Sequence, residues 1–393
     1  MSGATPITAA ARSISPRAAV RSLLTAIVCA VSVLALPTGA QAAPAGSWGW
    51  AQPSLRFAAE AKLLPPALTQ RGPAAPVSRK AWVRSLAALE AYRAQAQGAA
   101  APLGGMPAGV ALADAPAATV YARSVSLGWS SSQAGRFAGS KPVTGDEAAR
   151  GIVGALGLQA SVAAFAERLK AEIPGARTDY YVRAAHVYTR VLNLRYNHLV
   201  GQEFLEVSPG EGMKVGHVAY MLDRAAHADS WRLNSLTAYE TFDLPALGAN
   251  QAQVLRSGVE MLGQPYVWAG ETEGVQSEGH GGFDCSGFIW RTVLGGGVPA
   301  DARRALPERT SMAMSDLPAR ARIGAAGLRP GDLMFWGYKG PGSRPADNFH
   351  AGVYMGNGWF IHSSGGNAGP NIDRLDGWWG ERFSWGRRVL KRT

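Results

Sequence analysis

From Gln251 onward the chain changes its hydrophobic period, and no other feature constrains the fold as tightly. Before that point, residues 43–245 read as mostly helical. Apolar positions recur at three- and four-residue spacing over Pro53–Leu64, Arg79–Gln95, Gly145–Gly157, Val162–Glu172, Asp179–Tyr196 and Gly216–Ala226, between loops rich in Ala, Gly and Pro. Residues 97–118 are low in complexity and read as a flexible loop. After it, a helix over Gln251–Leu262 is followed by strand-like runs at Leu328–Trp336, His350–Met355 and Trp359–Ser363, with a last strand near Arg387–Lys391. Asn357-Gly358 between the middle two marks a hairpin turn. One helix and then a run of antiparallel strands is an α+β pattern. Thr237–Asn250 reads as the connection, which divides the chain into a helical region, 43–245, and an α+β domain, 246–393.

The first 42 residues have the layout of a secretory signal. Arg12, Arg17 and Arg21 precede the apolar run Leu23–Leu36, and small residues close it at Ala40-Gln41-Ala42. The run is short for a membrane span, and no second long one follows, so the processed chain is expected to be soluble and exported. The formal charge of +11 is spread along 393 residues. It lacks the basic runs interleaved with aromatics that nucleic-acid binding calls for. A diffuse positive surface outside the cell suits anionic wall polymers or membrane surfaces, and suits plain solubility equally well.

Export gives the cysteines their meaning. Cys29 leaves with the signal, so Cys285 is the one cysteine of the processed chain and no internal disulfide is open to it. A lone exported thiol is a candidate nucleophile, with a buried structural cysteine as the alternative. Its setting is FDCSGFIW, Phe283–Trp290, reached through Gly279, Gly281 and Gly282. Asp284 stands at a helix N-cap, and helical spacing continues through Phe288, Ile289, Thr292 and Val293 to Gly295-Gly296-Gly297. Cys285 then lies in the first turn, where the helix dipole favours a thiolate and a lowered pKa.

A thiol nucleophile needs a base, and the base needs an orienting partner. His350 and His362 flank the Asn357-Gly358 turn. A two-residue turn pairs Val353 with His362 and sends the two imidazoles to opposite faces. They share a face only if an odd loop or a bulge pairs Gly352 with His362. A Cys–His–His zinc site is the competing reading, with His280 or an acid as fourth ligand. His186, His198, His217 and His227 lack metal-ligand spacing and read as structural.

Taken in order, GQPYVWAG (263–270), FDCSGFIW, Glu308–Ser311, LRPGDLMFW (328–336) and HAGVYMGNGWFIHSS (350–364) resemble the NlpC-type peptidoglycan endopeptidases, papain-like cysteine peptidases of bacterial cell walls. The resemblance covers residues 251–393. It implies a papain-like α+β fold with Cys285 as nucleophile, His350 as general base and His362 orienting it. It further implies that Tyr266 and the Cys285 amide hold the carbonyl oxygen, and that Asp284 and Ser286 receive the free amine of the stem peptide. The implied reaction uses no cofactor and no metal, on peptidoglycan stem peptides at the bond between γ-linked D-glutamate and the diamino acid. The loop carrying Glu271, Glu273 and Glu278 is longer and more acidic than the family's short turn, and Met314 stands where the family often has Gln. A wall-binding protein without activity, or an amidase of the same fold, are the alternatives.

A repeat runs through the helical region. Pro76–Leu89 is similar to Pro142–Leu158 and, more distantly, to Ser208–Ala225, each a loop ahead of an amphipathic helix. The three resemble degenerate S-layer homology repeats, which implies anchoring to wall polysaccharide. Only the first copy keeps the expected basic residue, Arg79, where the others have Gly145 and Val215.

Overall fold

Five antiparallel strands, in the order 369–374, 359–364, 348–356, 333–337 and 383–387, make the sheet that organises the C-terminal part. The computed structural model describes residues 48–97, 109–173, 175, 184–195, 207–274, 276, 281–294, 306, 308–367 and 369–390. The leader, residues 98–108 of the 97–118 stretch, Glu278, Gly279, His198, His280 and the Gly295–Gly297 stop lie outside the described residues. A two-stranded ladder, β1 (Glu271–Thr272) with β2 (Gly282–Phe283), leads into the cysteine helix. The main sheet comprises β3 (Leu333–Gly337), β4 (Asn348–Gly356), β5 (Trp359–Ser364), β6 (Gly369–Arg374) and β7 (Phe383–Arg387). Every residue of β3 is buried, as its unbroken apolar sequence requires of an inner strand covered on both faces.

Three strand expectations change. The run from Leu328 enters the sheet only at Leu333, because Pro330 and Gly331 (φ 85°) build a turn in which the Gly331 amide donates to the Tyr354 carbonyl. The last strand is Phe383–Arg387, earlier than Arg387–Lys391, since Phe335 pairs with Trp385. Residues 369–382 also hold β6 and a short helix, Gly377–Arg382, neither of which the pattern announced.

The histidine hairpin resolves its parity through a bulge. Asn357 (φ 49°) and Gly358 (φ 82°) form the two-residue turn that their sequence favours, and Gly356 pairs with Trp359. The register then slips by one residue between Tyr354 and Gly356, so Gly352 faces His362.

In the helical region the helices are α1 (Gln52–Glu60), α2 (Arg79–Gln97), α3 (Val120–Ser126), α4 (Gly145–Ala155), α5 (Gln159–Glu172), α6 (Ala184–Val191), α7 (Val215–Ala226) and α8 (Ser230–Thr237). The three repeated segments close on one another in a ring. The Val77 amide donates to Met213, Met213 to Val143, and Val143 to Val77, at 2.9–3.0 Å. A second ring links the helix starts: Arg79 donates to Lys141, Gly145 to Glu211 and Val215 to Ala75, each at 2.9 Å. α2, α4 and α7 thus begin at equivalent places around a pseudo-threefold axis. Arg79 is not a surface cation. It is 1% exposed, its guanidinium pairs with Glu147, and it donates to the carbonyls of Phe137 and Ser131.

The two halves share one core. Phe165, Tyr239 and Phe242 cluster, and Tyr239 and Phe242 pack edge-on against Trp359 of β5, at centroid distances of 6.1 and 5.3 Å. The Tyr239 hydroxyl donates to the Ile372 carbonyl (2.5 Å) and accepts from its amide (3.0 Å), which clamps β6. The helix that opens the domain, α9 (Ala249–Val259), completes the cover. Among the described residues no single helix is long and apolar enough to cross a membrane.

Candidate active site

Cys285 opens the five-residue helix α10, Cys285–Ile289. Asp284 caps it, its Oδ1 accepting the Gly287 amide at 2.5 Å, as the local sequence predicts. The helix sits hard against the preceding loop: a Cβ on Gly287 would lie 1.8 Å from the Gly270 carbonyl oxygen. From the other side, Ser363 Oγ donates to the Phe283 carbonyl at 2.6 Å, so the end of β5 fixes the approach to the cysteine. The sulfur lies within reach of backbone amides from Ala351, Ser286 and Cys285 itself. Ala351 follows His350 on β4, which puts thiol and imidazole on neighbouring elements.

The thiol does not titrate as a helix N-terminus would suggest. Burial and then the Asp284 charge push it up to about 12, and the three backbone amides offset only part of this. Burial is the larger cause of the reversal, and the N-cap adds to it. The carboxylate that satisfies the helix start also places a negative charge beside the sulfur.

His350 and His362 meet. His350 Nε2 and His362 Nδ1 are 2.6 Å apart, with the rings perpendicular. The far nitrogen, His362 Nε2, lies 3.1 Å from Asp373 Oδ2. Trp336 and Trp379 pack on His350, and Phe360 and Trp379 on His362. Burial and the neighbouring His362 hold His350 well below the ordinary imidazole value. An uncharged imidazole on a strand packed against the helix of an uncharged thiol is in the form that can take the thiol proton as a bond forms at sulfur.

Asp284 and Ser286 converge on Arg309. Its Nη1 donates to Ser286 Oγ (2.7 Å) and Asp284 Oδ1 (3.3 Å), and its Nε donates to Glu271 at 2.7 Å. Glu273 pairs with Arg291. The two described acids of the long loop are thus matched by arginines of the domain itself. Tyr266 is half-buried and stands against Gly365, just past β5. Met314 is fully buried in the core, so it belongs to the packing and not to the cleft wall.

With this geometry in place, the domain can be set beside known proteins. Residues 263–388 match the NlpC/P60 family. The murein DD-endopeptidase MepH of Escherichia coli is 33% identical over 133 residues, 34% of this chain and 43% of that protein. The peptidoglycan endopeptidase RipA of Mycobacterium tuberculosis is 30% identical over 128 residues, 30% of this chain and 24% of that one. A crystallised NlpC/P60 family protein from Bacillus cereus is 27% identical, covers 38% of this chain and 42% of its own, and has a TM-score of 0.29. The chain spans less than half the length of these relatives. The α+β reading of the C-terminal domain as papain-like and NlpC-type, behind a mostly helical region, stands.

Within the matched region, the sequence pointed to Cys285, His350 and His362 but not to Asp373 or the part played by Arg309. Arg309 lies inside the Glu308–Ser311 motif, a position that pointed to it. Asp373 had no signal, because the strand carrying it went unrecognised. The other described histidines lie in the helical region. His186 is buried beside Asp146, His217 accepts the Lys214 amide, and His227 contacts Asp223. Among the described residues, no three His, Cys, Asp or Glu side chains are grouped to hold a metal ion.

Proposed function

We propose that this chain is a peptidoglycan endopeptidase that hydrolyses stem-peptide amide bonds with Cys285, His350 and His362. The observation that carries this reading is the hydrogen bond between His350 Nε2 and His362 Nδ1, on two strands packed against the helix that Cys285 opens. His350 uses Nε2 for that bond, so Nδ1 is its available base. Cys285 sulfur attacks the scissile carbonyl carbon while its proton passes to His350 Nδ1. Tyr266 and the Cys285 amide steady the oxyanion. The C–N bond breaks, His350 returns the proton to the leaving amine, and an acyl thioester remains. Water, deprotonated by His350, attacks the thioester, which releases the acid and restores the thiol. Asp284 and Ser286 receive the free amine of the stem peptide, with Arg309 setting their position. The bond cut is that between γ-linked D-glutamate and the diamino acid, and no cofactor takes part. The relatives' names support endopeptidase action on wall peptide, and MepH's name makes a D,D bond the second candidate.

The leader expected from the sequence agrees with a wall substrate, so the enzyme acts outside the cytoplasm, at the wall. The three repeats serve as an S-layer-homology-like module. Any polymer it holds is reached without Arg79, which is buried.

Incubation with purified peptidoglycan, followed by mass spectrometry of the released peptides, tests the reading. Wild type should release fragments ending in γ-D-glutamate, and Cys285→Ala none. Iodoacetamide should block the reaction and EDTA should not. Substantial hydrolysis by Cys285→Ala would end the cysteine mechanism, and loss to EDTA with rescue by zinc would replace it with metal chemistry. Fragments cut between two D-residues would favour the second bond.

A further inference from the structure

Asp373, on β6, is 3% exposed. Its Oδ2 lies 3.1 Å from His362 Nε2 and accepts from Asn371 Nδ2 at 3.0 Å. Its Oδ1 accepts from the Ser235 hydroxyl, which belongs to α8 of the helical region. Two residues of the helical region therefore hold this strand, Ser235 through Asp373 and Tyr239 through Ile372.

We infer that Asp373 is a positioning residue, the fourth member of a relay that sets which nitrogen of His350 faces Cys285, and that Ser235 extends this relay into the helical region. This rests on the cysteine reading above. A buried carboxylate only accepts, so His362 must carry its proton on Nε2. Its Nδ1 is then bare and can only accept, so His350 must donate from Nε2 across the 2.6 Å contact. His350 Nδ1 is left as the unprotonated nitrogen, the form a base toward the thiol requires. Reversing the tautomer at Asp373 would reverse it at His350. When His350 takes the thiol proton, the imidazolium charge is shared with His362 and faces the Asp373 carboxylate at the far end. The titratable and charged groups around this relay are His350 on β4, Asp373 on β6, the Tyr239 hydroxyl from the helical region, and Asp284 and Cys285 at the start of α10.

The test compares Asp373→Ala, Asp373→Asn, Ser235→Ala and Cys285→Ala in the full chain, on purified peptidoglycan and a soluble stem peptide. Asp373→Ala should lower kcat by about 100-fold with KM unchanged, and imidazole 15N NMR should show His362 losing its Nε2–H tautomer. Asp373→Asn keeps the shape and an accepting oxygen but drops the charge. It should fold normally, lose about tenfold in kcat, and move the acid limb of kcat/KM to lower pH. Ser235→Ala should lower kcat several-fold in the wild-type background and have no further effect in Asp373→Ala. Wild-type kcat in Asp373→Asn would overturn the inference. So would a loss in Asp373→Ala that tracks thermal stability while the tautomer stays as in wild type. If Asp373→Ala does not fold, Asp373→Asn decides alone. Retained hydrolysis by Cys285→Ala would instead remove the underlying reading, a separately visible failure.

Discussion

At the scale of single residues, the site combines a thiol pushed up by burial and Asp284 with an imidazole pushed down by burial and His362. Both shifts favour the uncharged pair over a thiolate–imidazolium pair at rest, so in the proposed mechanism the proton moves only as substrate is attacked. The pH dependence follows with a definite sign. As the proposed base His350 must be unprotonated, and its folded pKa lies well below the ordinary value of about 6.5. The acid limb of kcat/KM is therefore expected below pH 6.5, with activity persisting as pH falls through the range where a free imidazole would be charged. An acid limb at or above 6.5 would contradict the burial of His350. Stability carries a second signature. The Cys285 thiol titrates higher folded than unfolded, so its contribution is complete below the unfolded value of about 8.5 and is lost as pH rises toward about 12. Cys285→Ala should match wild type in urea at pH 7 and lose less stability than wild type above pH 9. Parallel loss in both proteins over that range would show that the thiol is not the group responsible.

At the scale of elements, what could be read in the sequence follows locality. The Asp284 cap, the helix start at Cys285 and the Asn357-Gly358 turn depend on neighbours in the chain, and all three are where the residues place them. The bulge that aligns His350 with His362 is not local. It sits beside Gly356, whose backbone has φ 122° and whose missing Cβ would lie 2.2 Å from Pro245 Cδ, in the connection more than a hundred residues earlier. Hairpin chemistry alone gives the wrong parity, and a long-range contact corrects it. β6 was invisible for a related reason: Gly369-Pro370-Asn371 reads as loop, and the sheet accepts it because β6 is an edge strand. The thiol's pKa runs against the helix-dipole expectation because burial, which long-range packing sets, and then the charge of the capping Asp284 outweigh the backbone amides. Gly287 gives the element-scale prediction. Any side chain there must displace α10 from the Gly270 carbonyl and carry Cys285 with it. Gly287→Ala should cost roughly 100-fold or more in kcat, since displacements near 1 Å have that consequence at reacting centres. Wild-type kcat in that variant would mean the helix can shift without moving the thiol.

At the scale of the whole molecule, the three repeated segments form a closed ring of backbone hydrogen bonds, and one junction of that ring is filled by a buried ion pair. Arg79 from the first segment reaches Glu147 of the second, with side chains 2% and 5% exposed. At the corresponding places of the other two segments stand Gly145 and Val215, so the pin occurs once. Its burial makes the partners unequal under mutation. Arg79→Ala leaves a carboxylate buried without its cation and a cavity where the guanidinium lay, and loss of one member of a buried pair typically costs about 3–5 kcal/mol. Glu147→Gln keeps the volume and one acceptor and should cost less. Because the helical core continues through Phe242 and Tyr239 onto Trp359, the loss should appear as one cooperative shift of the urea midpoint for the whole chain. Sedimentation with purified cell walls separates this from a binding role. The folded fraction of Arg79→Ala should pellet with walls as wild type does, because the guanidinium is not at the surface. Loss of wall binding with an unchanged urea midpoint would mean that Arg79 reaches a ligand, and the buried pin would be the wrong account of it.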